Sequence, residues 1–113
     1  MLNKFIEWAK LAAAEHADNS VKSEVTIANA SSRPSARLDI DTVYAVARIT
    51  CWEGGDYYSE IMARKNGEQI YSRHGALQID CSLSQQFEPF FDALKIAIPL
   101  TGLDNEPDEP TPK

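Results

Sequence analysis

The side chains most often used in catalysis are scarce in this sequence. It has two histidines, His16 and His74, and two cysteines, Cys51 and Cys81. Neither cysteine has a histidine close to it in the sequence, so no nucleophile–base pair is indicated. The sequence contains no metal-ligand spacing, no phosphate-binding glycine loop and no nucleophile elbow. It therefore predicts a protein that is not an enzyme and that binds no cofactor and no metal ion, with each histidine at an ordinary surface or capping position.

Two acidic pairs have the residue types of a carboxylate dyad or a calcium site. Asp39 and Asp41 alternate with apolar residues, as on the solvated face of an edge strand. Glu53 and Asp56 flank a Gly-Gly turn, where acids are common. Because the ligand spacing of a calcium-binding loop is absent, we favour structural roles for all four.

Length, composition and charge limit the class of protein. The chain has 113 residues, 43% of them hydrophobic, which suits one folded domain. Its formal net charge of −6 opposes binding to nucleic acid or to an anionic membrane. No apolar run reaches the ~18 residues of a spanning helix, and Glu7 and Lys10 are unlike a signal peptide. We expect a cytoplasmic protein in which Cys51 and Cys81 are reduced thiols, with a structural disulfide as the alternative.

Helical periodicity occurs at both ends of the chain. From Leu2 to Ala17 apolar residues recur at helical spacing. The predicted buried face of this helix is formed by Leu2, Phe5, Ile6, Ala9, Ala12 and Ala13. Ser82-Leu-Ser-Gln85 matches a helix-capping pattern, and an apolar helical face continues from there to Ile98. Pro89 lies either at a bend of this second helix or in its first turn.

Alternation with a period of two predicts the strands. It runs from Val21 to Ile27, from Ala36 to Trp52, from Tyr57 to Lys65 and from Glu68 to Arg73. The phase of the long second run slips near Asp41-Thr42, which indicates a bulge or a bend, and Asn66-Gly67 predicts a tight hairpin. We therefore expect an α+β fold: an antiparallel β-sheet meander of about four strands with N-terminal and C-terminal helices packed on one face.

A single α+β domain is expected over residues 1–103, followed by a disordered acidic Pro-rich tail over residues 104–113. The tail has three prolines and four acids against one lysine, a composition typical of disorder. We expect its removal to change the melting temperature by no more than about one or two degrees, because it has little apolar area to bury. A drop of several degrees in calorimetry would show that it is docked.

One face of the predicted sheet carries an unusual mixture of side chains. Its members are Tyr44, Val46, Arg48, Thr50 and Trp52 on one strand and Tyr58, Glu60, Met62 and Arg64 on the next. Aromatic residues, methionine and arginine beside acids are typical of the centre of protein–protein interfaces. We interpret this face as a partner-binding surface centred on Tyr44, Trp52 and Tyr58, with Asp56 and Glu60 at its rim. The alternative is that Tyr44, Val46 and Trp52 pack beneath a helix.

The order and spacing of several motifs resemble one family. They are Phe5 and Trp8, Arg48-Ile-Thr-Cys-Trp52, Glu53-Gly-Gly55, Glu60-Ile61, Asn66-Gly67 and Phe90-Phe91-Asp-Ala-Leu94. Over about residues 1–98 the chain is similar to small immunity proteins of bacterial polymorphic toxin systems, in particular the TriTu type. The resemblance implies a protein without catalytic activity that binds and neutralises a cognate toxin. Trp52, Gly54 and Glu60 are the positions that look like the family's.

The acidic charge suits a protein partner with a basic active-site cleft, such as a nuclease. The expected partner is a cognate toxin domain, bound by a monomer or a weak homodimer. A second hypothesis is an acidic secretion chaperone, which predicts an obligate dimer with a larger apolar groove. An α+β enzyme or ligand-binding pocket is the third, and the missing catalytic residues disfavour it. A toxin gene immediately upstream would favour the first hypothesis.

Overall fold

The computed structural model describes residues 2–15, 21–29, 33–78 and 80–96. Five strands and three helices lie within these ranges. In chain order they are α1 (Leu2–Glu15), β1 (Lys22–Ala28), β2 (Ser35–Asp41), β3 (Ala45–Trp52), β4 (Asp56–Ala63), β5 (Gln69–Ala76), α2 (Leu83–Gln86) and α3 (Glu88–Leu94). None of these helices is long and apolar enough to cross a membrane. The predictions for His16 and for residues 104–113 fall outside the described residues.

All five strands form one antiparallel sheet in the order β1-β2-β3-β4-β5. Helix α1 packs across β1 and β2, and α3 packs on β4. The buried side chains of the sheet, such as Leu38, Ile49 and Ile61, all point to the side of these helices. The predicted α+β meander with helices on one face is therefore confirmed. The sheet has one strand more than the number predicted.

The additional strand arises because the long alternating run is divided at Thr42. The Thr42 N–H donates to the Ala45 carbonyl at 2.8 Å. Thr42 Oγ1 accepts the N–H of Ala45 at 3.1 Å and that of Tyr44 at 3.3 Å. These bonds close a hairpin turn between β2 and β3. Of the two interpretations of the phase slip, the chain bends there and has no bulge, and the bend is a complete reversal that divides the run into two strands.

The core between sheet and helices is built around Trp8. Its ring stacks on Phe87 with 5.4 Å between centroids and lies 6.0 Å from both Phe5 and Phe91. Its Nε1–H donates to Ser84 Oγ at 3.1 Å. Trp8 was absent from the predicted apolar face of α1, yet it is fully buried and joins α1 to both C-terminal helices.

The C-terminal helical segment forms two short helices. Ser82 caps α2 by accepting the Gln85 N–H at 3.1 Å, as the sequence pattern predicts. The backbone leaves helical geometry at Phe87, and Pro89 then lies in the first turn of α3, where its missing N–H costs nothing. Of the two predicted positions for Pro89, the second is confirmed. Lys95 ends α3 in the left-handed conformation, with φ of 65°.

Gly75 in β5 lets Tyr57 of β4 lie close against the backbone. A Cβ at position 75 would lie 2.6 Å from Tyr57 Oη and 2.7 Å from its Cζ. Tyr57 is buried, and its ring packs edge-to-face with Phe87 at 4.8 Å between ring centroids, so it has little room to shift.

We expect Gly75→Ala to lower the free energy of unfolding by about 1–2 kcal/mol, measured by urea denaturation. The control Ser72→Ala, at an exposed position of β5, should change it by less than about 0.5 kcal/mol. Equal stability of the two variants would contradict the steric argument.

Candidate functional site

The sheet face opposite the helices is not covered by any element in the described ranges, and we call it the open face. Its side chains in β2 to β5 include Arg37, Asp39, Val46, Arg48, Thr50, Trp52, Asp56, Tyr58, Glu60, Met62 and His74. None of these is buried, and Trp52 and Tyr58 are half-buried. The strand register fixes their neighbours and sets Arg48 opposite Glu60.

Asp39 is held between two arginines on the open face. Its Oδ1 lies 2.6 Å from Arg48 Nε, and its Oδ2 lies 3.0 Å from Arg37 Nε. Both carboxylate oxygens are thus engaged, so Asp39 and Asp41 do not form a free dyad. Among the described residues, no three His, Cys, Asp or Glu side chains come together in a way that could hold a metal ion.

Asp56, one acid of the second pair considered from sequence, is also paired with an arginine. Arg33 Nη2 lies 2.6 Å from Asp56 Oδ2, and the Arg33 guanidinium lies over the Trp52 ring, 5.7 Å from its centroid. The Glu53 N–H donates to the Pro34 carbonyl at 2.9 Å, which holds the segment before β2 against the β3–β4 turn. A basic side chain therefore covers one aromatic residue of the open face.

Tyr58 is the third residue of β4 and is supported by β5. Its ring meets His74 edge-on, with 4.4 Å between centroids. Gln69 Nε2 donates to Tyr58 Oη at 3.2 Å and lies 3.5 Å from Glu60 Oε1. The ring is thus held in place before any partner arrives, which reduces the entropy cost of using it in an interface.

Tyr44 lies apart from the other four predicted contact residues. It precedes β3, and its Oη donates to the Leu94 carbonyl at 2.7 Å, at the end of α3. The predicted residues that the structure brings together on the open face are Trp52, Asp56, Tyr58 and Glu60. Tyr44 therefore reaches the end of a helix through its hydroxyl but remains 42% exposed, so it does not pack beneath that helix. Val46 and Trp52, the other residues of the alternative interpretation, lie on the open face.

The elements that build this face lie within a single sequence match to a known family. The family model described as Immunity protein TriTu matches residues 3–93, from α1 into α3. The chain belongs to the TriTu family of immunity proteins. The resemblance stated from sequence is thereby confirmed, and Trp52, Gly54 and Glu60 all lie inside the matched range. Comparison with curated proteins gives no match.

Two residues at the open face of this TriTu-family protein, Arg33 and His74, were not predicted from the sequence to lie there. Arg33 lies in a segment predicted as a loop, and nothing in the sequence pattern indicates its contact with Trp52. His74 was expected at an ordinary surface position, and a β-bulge in the β4–β5 pair brings it opposite Tyr58. An Asn-Gly hairpin indicates which strands pair, but it does not indicate a bulge further along them.

The two cysteines are both free and differ in environment. Cys51 is fully buried on the helix side of β3, and this burial raises the pKa of its thiol to about 11. Cys81 is half-buried. Because the thiolate is the reactive form, we expect a thiol reagent at about pH 8 to modify Cys81 in the folded protein and Cys51 only after unfolding. Modification of both at equal rates would contradict the burial of Cys51.

The raised pKa of Cys51 also predicts a pH dependence of stability. The unperturbed thiol pKa is 9.0 and the folded one about 11, so deprotonation between these values favours the unfolded chain. The contribution of the neutral thiol is present below pH 9.0 and is lost as the pH rises towards about 11. In urea denaturation, the stability difference between the wild type and Cys51→Ala should therefore shrink over this range. A constant difference would count against it.

Proposed function

We propose that this TriTu-family protein neutralises a bacterial toxin by binding the toxin domain directly through the open face, without catalysis. The observation that carries the proposal is the pair of half-buried aromatic residues, Trp52 and Tyr58, on a face that no described helix covers. Aromatic side chains at the centre of an interface supply much of the binding energy. Asp56 and Glu60 beside them would guide the approach of a basic partner.

The overall charge supports a particular class of toxin. A formal net charge of −6 favours a partner whose binding surface is basic. Enzymes that cleave nucleic acid have such surfaces, because their substrate carries one negative charge per phosphate. A nuclease domain is therefore the toxin class that fits best, with the acids of the open face lying against its substrate-binding cleft.

A toxin domain encoded immediately upstream of this protein's gene would provide the test. Cells that produce that domain should survive when this protein is co-produced, and the two purified proteins should form a stable complex. Glu60→Lys should weaken protection, whereas Glu7→Lys makes the same charge change on an exposed part of α1 and should protect like the wild type. Equal protection by both variants would exclude Glu60 from the interface, and protection without complex formation would exclude direct binding.

Location and oligomeric state follow from the same proposal. The protein would act in the cytoplasm of the cell that makes the toxin, as a monomer or a weak homodimer. Sedimentation at several protein concentrations tests the second point. An obligate dimer that holds an effector protein unfolded would instead support the secretion-chaperone hypothesis.

A further inference from the structure

The most specific arrangement on the open face is the contact of Arg33 with Trp52 and Asp56. The guanidinium lies 5.7 Å from the Trp52 ring centroid and donates to Asp56 Oδ2 at 2.6 Å. An aromatic face and a carboxylate together satisfy both binding modes of a guanidinium, the cation–π contact and the charge-assisted hydrogen bond. The chain itself thus places a guanidinium at this position.

The surroundings extend this contact into a shallow depression of about 400 Å³. Trp52 of β3, Asp56 and Tyr58 of β4 and His74 of β5 line it, together with Arg33 itself. Tyr58 and His74 are in edge-on contact, with 4.4 Å between their ring centroids. A planar cation that enters from a partner in place of Arg33 would therefore meet aromatic side chains and one carboxylate.

We propose that this depression is a guanidinium site for an arginine side chain of the toxin, and that Arg33 occupies it in the free protein until the toxin arginine displaces it. The proposal rests on the function proposed above and names the chemistry of its central contact. The charge complementarity between an acidic immunity protein and a basic toxin surface supports this occupant.

The exposure of the Arg33 contact makes such an exchange feasible. The side chains of Arg33 and Asp56 are 56% and 61% exposed, and ion pairs at this exposure are weak. A partner arginine would bind the same groups with water excluded, where cation–π contacts and hydrogen bonds to charged groups are stronger. Because the internal arginine competes, its removal should raise the apparent affinity for an external one by about three- to tenfold.

The first test uses N-acetyl-arginine amide as the probe and needs no toxin. The chain has two tryptophans, so each indole N–H signal in a nitrogen-labelled sample can be followed separately. In Arg33→Ala, the Trp52 signal should shift saturably with the probe, while the signal of buried Trp8 stays in place and reports an intact fold. The wild type should need about three- to tenfold more probe for the same shift.

Two controls make this test decisive. N-acetyl-citrulline amide has the shape of the arginine probe without its charge and should not shift the Trp52 signal. Arg33→Ala combined with Asp56→Asn should lose most of the response to the charged probe. Equal shifts with both probes, or no shift in Arg33→Ala, would overturn the guanidinium site. Arg33→Gln provides a second variant if Arg33→Ala is poorly folded.

The second test measures binding of the toxin domain used to test the proposed function. Arg33→Ala should bind about three- to tenfold more tightly than the wild type, since the competitor is removed. Unchanged or weaker binding would overturn the displacement of Arg33, even if Tyr58 and Glu60 prove to lie in the interface. If the wild type binds no toxin, the proposed function fails, and the probe titration still decides whether the guanidinium site exists.

Discussion

Tyr58→Ala is expected to weaken binding of the toxin domain by about 2 kcal/mol, or about 30-fold, chiefly through faster dissociation. Tyr58 is half-buried on the open face and is held by His74, so a partner would complete the burial of a ring that is already in place. Surface plasmon resonance gives both rate constants. Tyr44→Ala is the matched control, because Tyr44 contacts the end of α3 and should contribute nothing to the interface.

Glu60→Lys should affect a different rate constant. A charge at the rim mainly steers the encounter, so its reversal should slow association and flatten the dependence on salt, with a smaller effect on dissociation. Glu7→Lys makes the same change on α1 and should leave both rates unchanged. If folded Tyr58→Ala and Glu60→Lys both bind with wild-type kinetics, the interface does not lie on the open face.

Trp8→Ala should have the largest effect on stability, a loss of about 3–5 kcal/mol in the free energy of unfolding. Trp8 is fully buried, contacts the rings of Phe5, Phe87 and Phe91, and donates a hydrogen bond to Ser84. Its removal would leave a cavity where α1 packs against the two C-terminal helices. Urea denaturation at low temperature measures the loss, because a domain of this size has a stability of only about 5–15 kcal/mol.

Two further variants separate the contributions of Trp8. Trp8→Phe keeps an aromatic ring and removes the Nε1–H donor, so we expect a loss of about 1–3 kcal/mol. Leu11→Ala is the control: Leu11 is on the same helix but is 42% exposed, so its truncation should lower the free energy of unfolding by less than about 1 kcal/mol. A Trp8→Ala protein no less stable than Leu11→Ala would show that the aromatic cluster is not the centre of the core.

Local signals in the sequence predicted most of the elements. The helical period of α1, the alternation of β1 and β4, and the Ser82 cap each depend on residues within a few positions of one another. Such patterns are reliable because backbone geometry alone sets the periods of 3.6 and 2 residues. The same reasoning failed at Thr42, where hydrogen bonds to the Thr42 side chain, rather than periodicity, form the β2–β3 turn.

The neighbours of Tyr58 at the candidate site depend on an irregularity in strand pairing that the sequence pattern does not indicate. Met62 pairs with Gln69, and continuation of that register would set Arg73 opposite Tyr58. The β-bulge between Ile61 and Met62 shifts the pairing by one residue, so His74 takes this place. A one-residue shift moves side chains to the other face of the sheet, which is why alternation alone could not identify the neighbours of Tyr58.

By itself the sequence determined the fold class and the resemblance to TriTu immunity proteins. Its alternation also determined that Trp52 lies on the same strand face as Arg48, and Tyr58 on the same strand face as Glu60. Only the tertiary structure decided that Tyr44 turns to α3 and that Arg33 lies over Trp52. The physical reason is how far apart in the sequence the interacting residues lie. Periodicity and capping are set by residues a few positions apart, whereas the choice of covered face depends on Trp8 and Phe87 meeting from opposite ends of the chain.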